Sequence, residues 1–290
     1  MKTNILTRLT FPFIALTFSA TNCFAQMAQA AFSVAPNRQV YFSSGNLQYQ
    51  ASTGTWRFAE QQYDIIGDNN KNISATYTGW IDLFGWGTSG WNNGTNTYQP
   101  YSTRPNNNTS GGLKKNLTGD YEKSDWGVYN AINNGGNVAG QWRTLTYDEW
   151  NYLLTTRQNA AQKYGVATVN GVNGCILLPD NFTLPTGLSF KSGVNNNNYG
   201  SNYYKPKNEY TKAQWEKMET AGAVFLPAAG SRVGTDYFNV GLGYYWSSTY
   251  YNNNATKTDD ARFMYISSGK VEMSYSTQYY GHSVRLVKNK

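Results

Sequence analysis

Few side chains in this chain could do acid–base, nucleophilic or metal chemistry. His282 is the single histidine. A Ser-His-Asp relay or a zinc site built on it needs partners that the sequence does not assign, and a strand-edge residue is the simpler reading. Cys175 lies in the apolar run Gly174-Cys175-Ile176-Leu177-Leu178-Pro179, where a thiol is expected as a small buried core group. Asp68-Asn69-Asn70-Lys71-Asn72 places oxygen donors at alternate positions, as a calcium loop begins. Ile73 then stands where that loop needs Gly, and Gly79 where it needs Glu. Asp259-Asp260 reads as a solvated turn, and no phosphate-cradling Gly-Lys-Ser/Thr loop occurs. This inventory predicts no cofactor, no metal and no catalysis, and so a protein that works by binding.

The residue types in excess are those of recognition. There are 24 Tyr and 9 Trp, and aromatic residues make up 16% of the chain. Tyr offers a large amphipathic surface with few rotatable bonds, and Ser and Asn add adaptable hydrogen bonds. These types crowd residues 250–280, which are expected to carry a contact face. Along Phe263-Met264-Tyr265-Ile266 alternate side chains must point inward, so part of these tyrosines are expected to be structural.

The elements that must position this face can be read from local signals. Thr146-Tyr147-Asp148-Glu149 is a capping box ahead of Trp150, Leu153, Leu154 and Arg157 at helical spacing. Thr211-Lys212-Ala213-Gln214 repeats the device before Trp215 and Met218, with Gly222 as a stop. Trp150 and Trp215 are expected to be buried anchors, and a shorter helix is expected within 125–132. Strands are predicted at 39–49, 55–58, 261–266, 270–273 and 283–287, with Ser267-Ser268-Gly269 as a hairpin turn. Residues 67–120, rich in Gly, Asn, Thr and Trp, read as long structured loops pinned by tryptophan. No fixed-period repeat or linker is visible. Helices in mid-chain with strands on both sides predict a single α+β domain over 26–290, with mixed antiparallel sheets and two main helices.

The first residues read as an export signal. Lys2 and Arg8 precede an apolar stretch, Leu9 to Phe18, and Cys23-Phe24-Ala25 forms a cleavage site before Gln26. Lipid anchoring through Cys23 is the alternative processing. That stretch falls short of the ~20 residues a spanning helix needs, and no later segment is apolar enough. A secreted or cell-surface protein is expected. The signal holds two basic and no acidic residues, so the whole-chain charge of +7 leaves +5 on the mature part. With charged residues at 14% and no Lys/Arg cluster, nucleic acid is not an expected partner.

Several segments resemble the C-type-lectin-like fold in the form found in formylglycine-generating enzymes and their non-catalytic relatives. They are Trp142 to Trp150 (WRTLTYDEW), Phe225 to Arg232 (FLPAAGSR), Tyr245 to Thr249 (YWSST), Ala261-Arg262, and Gly281 to Val287 (GHSVRLV). The resemblance covers roughly 120–290. The N-terminal third is similar, more weakly, to the start of Bacteroidetes surface proteins with this domain. The enzyme's paired C-terminal cysteines are missing, since 225–290 holds no cysteine. The lectin calcium motifs are missing too, and Trp91-Asn92-Asn93 only approximates one of them.

The closing segment also resembles the variable proteins of diversity-generating retroelements, in which adenines of Asn codons are rewritten. That resemblance implies a ligand face built from permitted products: Tyr244, Tyr250, Tyr251, Asn252, Asn253, Asn254, Thr258, Asp259, Tyr265, Ser267, Ser274, Ser276, Tyr279 and Tyr280. Trp246, Lys257, Met264, Lys270, Glu272 and Met273 would be fixed scaffold. The expected partner is a protein or glycan on another cell, a phage or a host surface. Tyr250, Tyr251, Asn253, Tyr279 and Tyr280 are expected to be exposed on one contiguous surface. The rival readings are a cell-envelope or fimbrial subunit and an enzyme of the formylglycine-generating type.

Overall fold

The computed structural model describes residues 30–103, 112–195, 204–205, 207–253 and 258–290. In chain order the strands begin with β1 (Phe32–Ala35), β2 (Arg38–Phe42), β3 (Leu47–Gln50) and β4 (Thr55–Phe58). A short helix α1 (Trp126–Tyr129) and strand β5 (Arg143–Thr144) follow, then helix α2 (Tyr147–Asn151), which continues as a π turn over Tyr152–Thr156. Next come β6 (Tyr164–Val169), β7 (Val172–Leu177), β8 (Glu209–Tyr210), helix α3 (Lys212–Thr220), β9 (Val224–Pro227), β10 (Ser231–Val233) and β11 (Asp236–Phe238). The chain closes with β12 (Gly243–Asn253), β13 (Thr258–Ser267), β14 (Lys270–Thr277) and β15 (Leu286–Asn289). The class is α+β with mostly antiparallel sheets and few helices. The pairing of β6 with β8 is the parallel exception among the described ladders.

The strands form sheets in the orders β1-β2-β15-β5, β8-β6-β7-β9 and β12-β13-β14, with two-stranded ribbons β3-β4 and β10-β11. The last strand lies against β2 and β5, not against β1. The N-terminal hairpin has already taken β1 on the other edge of β2, so the free edge of β2 receives the C-terminus.

Alternation explains the cores. In β6, β7 and β9 one set of side chains, Val166, Cys175, Leu177, Val224 and Leu226, joins a core centred on Trp150, Leu153 and Tyr245. The other set, Ala167, Val169, Ile176 and Phe225, packs on Trp215 and Met218 of α3. A sheet buried on both faces reads as a nearly continuous apolar run, which is why Cys175 sits in one. A third, aromatic core holds Trp56, Phe58, Phe84, Trp126, Trp142 and Trp246.

Both predicted capping boxes form. Thr146 Oγ1 accepts from Glu149 N, and Glu149 Oε2 accepts from Thr146 N at 2.9 Å. Thr211 and Gln214 do the same for α3. Glu149 also takes a bidentate pair from Arg143, at 2.7 and 2.8 Å. Trp150 and Trp215 are fully buried, as their place after each cap requires. Gly222 ends α3 in the left-handed conformation, φ +94°. The helix expected through Arg157 loosens into the π turn, where Arg157 N–H donates to Tyr152 O and its Nε to Leu153 O.

In the 67–103 loops, Asn70 is buried and bonds the Asp82 carboxylate and backbone, so Asp68 to Asn72 is a brace. Trp86 pins this region by donating to Ser247 O at 2.7 Å. Among the described residues no cluster of His, Cys, Asp and Glu could hold a metal, and no helix is long and apolar enough to cross a membrane.

Candidate ligand cavity and the closing sheet

The closing sheet divides its side chains between two sides. Met264 and Ile266 of β13 join the Trp150 core, while Ala261 and Phe263 face the aromatic core. In register across β12 and β13, Tyr244 lies opposite Tyr265, and Trp246 opposite Phe263. Between Trp246 and Tyr250 the register shifts, so Tyr250 pairs with Ala261.

A cavity of about 440 Å³ opens beside this sheet, and Ser231, Asn239, Tyr244, Ser276, Tyr280 and His282 are among its lining residues. Phe238, Asp260, Phe263, Tyr275 and Thr277 complete the wall. The Tyr244 and His282 rings stack with centroids 4.8 Å apart and planes 14° apart. Tyr280 stacks on His282 at 5.8 Å and on Tyr279 at 4.7 Å.

His282 is therefore not a strand-edge residue. It is buried and its backbone bridges Phe84, because rings from β12, β13 and the segment after β14 close around it. Its Nδ1 lies 3.1 Å from Gly281 O and 3.0 Å from Ser231 Oγ, and its Nε2 lies 3.0 Å from Ser276 Oγ. A lone pair on Nδ1 aimed at a carbonyl oxygen would be repulsive, so the partner set assigns the proton to Nδ1. Nε2 is then an acceptor, and Ser276 donates to it. Ser276 consequently presents only lone pairs to the cavity, so a group hydrogen-bonded to it there would have to donate.

Burial holds the imidazole pKa down to about 3, only partly offset by the Gly281 carbonyl, so His282 is neutral at physiological pH. Burial likewise pushes the Tyr244 hydroxyl up to about 12. The Cys175 thiol, buried in the core between sheets, is pushed up to about 12.

The predicted site residues separate into groups. Tyr244, Ser276 and Tyr280 line the cavity, and Tyr265 and Ser274 are half-buried on the closing sheet. Tyr279 is half-buried and covers Tyr280. Tyr250 is half-buried, and its N–H donates to Asn116 Oδ1. Asn252 is exposed. Tyr251 is half-buried against Arg262 and Tyr275. Asn253 and Thr258 pair at the end of the ladder, with side chains outside the described residues; Asn254 lies outside them entirely.

Three expectations are corrected. Ser267 is fully buried, because the chain at Asn195 crosses the hairpin turn and donates to Ser268 O at 2.7 Å. Asp259 is only 7% exposed, and Asp259-Asp260 is strand, not solvated turn. The Asp259 carboxylate accepts from Gly112 N at 3.1 Å and pairs with Lys114 at 3.6 Å, so the 112–114 segment covers it. The tyrosines also do not share one exposed surface. Tyr250 and Tyr251, being adjacent in a strand, point to opposite sides, and Tyr250, Tyr251, Tyr279 and Tyr280 are all half-buried.

Sequence reasoning missed Ser231, Phe238, Asn239, Asp260, Phe263, Tyr275, Thr277 and His282 at the cavity, and Arg262 on the sheet. Tyr275 was open to detection, since it is a permitted type inside the chosen segment and is 44% exposed. Neither a scan of family models, nor a search of curated proteins, nor one of solved structures finds a match to this chain.

Proposed function

We propose that the chain is an exported ligand-binding surface protein, and that a glycan is held in the cavity beside the closing sheet. One observation carries the reading: a concave site of about 440 Å³ in which Tyr244, His282 and Tyr280 rings meet Ser231, Asn239 and Ser276. Apolar ring faces beside a few converging polar groups are the usual make-up of a small-ligand site, and such rings suit the C–H faces of sugars. The pairing of the C-terminal strand with the N-terminal hairpin supports a C-type-lectin-like arrangement. The half-buried or exposed Tyr250, Tyr251, Asn252 and Ser274 support a face that tolerates variation. A reverse-transcriptase gene beside an adenine-rich near-copy of codons 244–287 would decide whether it is rewritten.

The enzyme reading is disfavoured by the same chemistry. An imidazole pKa of about 3 makes His282 a poor general base for Ser276, and a thiol pKa of about 12 leaves Cys175 unreactive.

Screening the secreted chain on an array of mammalian and microbial glycans should find carbohydrate binding. Tyr280→Ala should weaken it at least about tenfold, the loss of one ring stack in a desolvated site. An array with no bound glycan, or equal binding by the variant, removes the proposal.

A further inference from the structure

Arginine usage singles out a second place on the closing sheet. Arg57, Arg143, Arg157, Arg232 and Arg285 all donate hydrogen bonds to protein oxygens, and Arg38 pairs with Glu149. Arg262 is the exception among the described residues: its guanidinium has no hydrogen-bond acceptor and no carboxylate at ion-pair distance. It is held by rings instead. Its Cζ lies 3.7 Å over Tyr251, 4.9 Å over Tyr147 and 5.5 Å over Tyr275. Stacking occupies the faces of the cation and leaves its in-plane N–H donors unused.

The placement follows from register. Tyr275 stands directly opposite Arg262 across β13 and β14, Tyr251 is the diagonal neighbour on β12, and Tyr147 comes from the first turn of α2. Tyr251 and Tyr275 pack on each other at 4.5 Å, which fixes the orientation of the cage. Arg262 is half-buried, so the cation is partly desolvated yet reachable. Strand alternation puts it across β13 from Phe263, and Tyr275 borders both the cage and the cavity.

We propose that Arg262 is the carboxylate subsite for an acidic sugar. A planar fork of donors, preorganised between rings, matches a planar carboxylate by two parallel hydrogen bonds. No second cation shares these rings among the described residues, so a single negative charge fits better than a phosphate dianion. The exposed Tyr275 ring beside it supplies an apolar face for the sugar. The sugar part of this inference rests on the glycan reading of the cavity; the carboxylate part stands on Arg262 alone.

The test compares methyl glucuronide, methyl glucoside and N-acetylglutamate by ligand-observed NMR titration of the secreted chain. Glucuronide should bind about tenfold or more tighter than glucoside, as for one charge-assisted pair. Arg262→Gln should erase that preference, whereas Tyr275→Ala, at the ring that borders both cage and cavity, should weaken both sugars. Arg262→Lys, which keeps the charge and loses the fork, should retain part of the preference, and it serves if Arg262→Gln lowers the melting temperature markedly. Equal affinity for the two sugars, or a preference that survives in the glutamine variant, overturns the subsite while leaving the cavity reading intact. Binding of N-acetylglutamate in place of glucuronide overturns the acidic-sugar assignment.

Discussion

The β6-β7-β9 ladder and the β12-β13-β14 ladder obey the same two-residue alternation and end with different surfaces. In the first, mostly aliphatic side chains, with Cys175 and Phe225 among them, fill both faces, one against Trp150 and Leu153, the other against α3. In the second, one face carries Met264 and Ile266 into the shared core, and the other carries Tyr244, Phe263 and Tyr265. Branched aliphatics interdigitate at near-crystalline density. Tilted rings whose hydroxyls need partners do not, and the packing opens into a cavity lined by Tyr244, Ser276 and Tyr280. The same backbone pattern thus builds a wall in one place and the lining of a cavity in the other, according to what stands at alternate positions.

The sharpest way to break this comparison is to truncate the wall. Trp215 has no solvent exposure and packs on Phe225 with ring centroids 5.6 Å apart. Trp215→Ala should cost ~3–5 kcal/mol, as large aromatic core truncations do, measured by denaturant unfolding. A loss under ~1 kcal/mol would mean that the wall is no more tightly packed than the cavity side.

A smaller effect, which depends on pH, belongs to His282 on the cavity side of the closing sheet. The folded chain keeps His282 neutral down to about pH 3, whereas an unfolded histidine takes up a proton near 6.5. Its contribution to stability is therefore present above pH 6.5. It is lost at up to about 1.4 kcal/mol per pH unit as pH falls from there towards 3. Asp82 and Asp125 act in the opposite sense. Burial raises both to about 6, so what they contribute is fully present below about 3.8 and is lost as pH rises through about 6. Comparison with His282→Gln isolates the histidine from these carboxylates. The stability cost of that substitution should shrink as pH is lowered from 7 to 4.5. A cost constant across that range would show that His282 titrates in the folded protein as it does in the unfolded chain.

What the sequence made legible follows the same division. Both helix starts could be read because a capping box is local: Thr146 with Glu149 and Thr211 with Gln214 need only three residues of chain. The buried tryptophans followed from those starts, and the 267–269 turn followed from its neighbours. The cavity was not legible. Ser231 and His282 are 51 positions apart, and nothing near either residue announces the other. His282 read as an edge residue because its cover comes from β12, β13 and the chain after β14. Asp259 read as solvated because Gly112 and Lys114, which cover it, precede it by more than a hundred residues. Residue type selected the closing segment, but alternation and long-range cover decide which of its members reach solvent.

Ser267 gives the smallest expected effect and the finest test of that rule. It is two residues beyond Tyr265 on the same strand and so belongs to the same alternating set. Residue type alone made the two equivalent as ligand contacts. Tyr265 stays half-buried on the sheet, but Ser267 has no exposure, and its Oγ has no hydrogen-bond partner. An unpaired buried hydroxyl costs free energy, so Ser267→Ala should leave stability within about 0.5 kcal/mol or raise it slightly. Affinity for any cavity ligand should be unchanged, because the covered turn does not reach the site. Paired melting and titration of this one variant check both parts. A drop in affinity with normal stability would return Ser267 to the contact face and make residue type a better guide than cover.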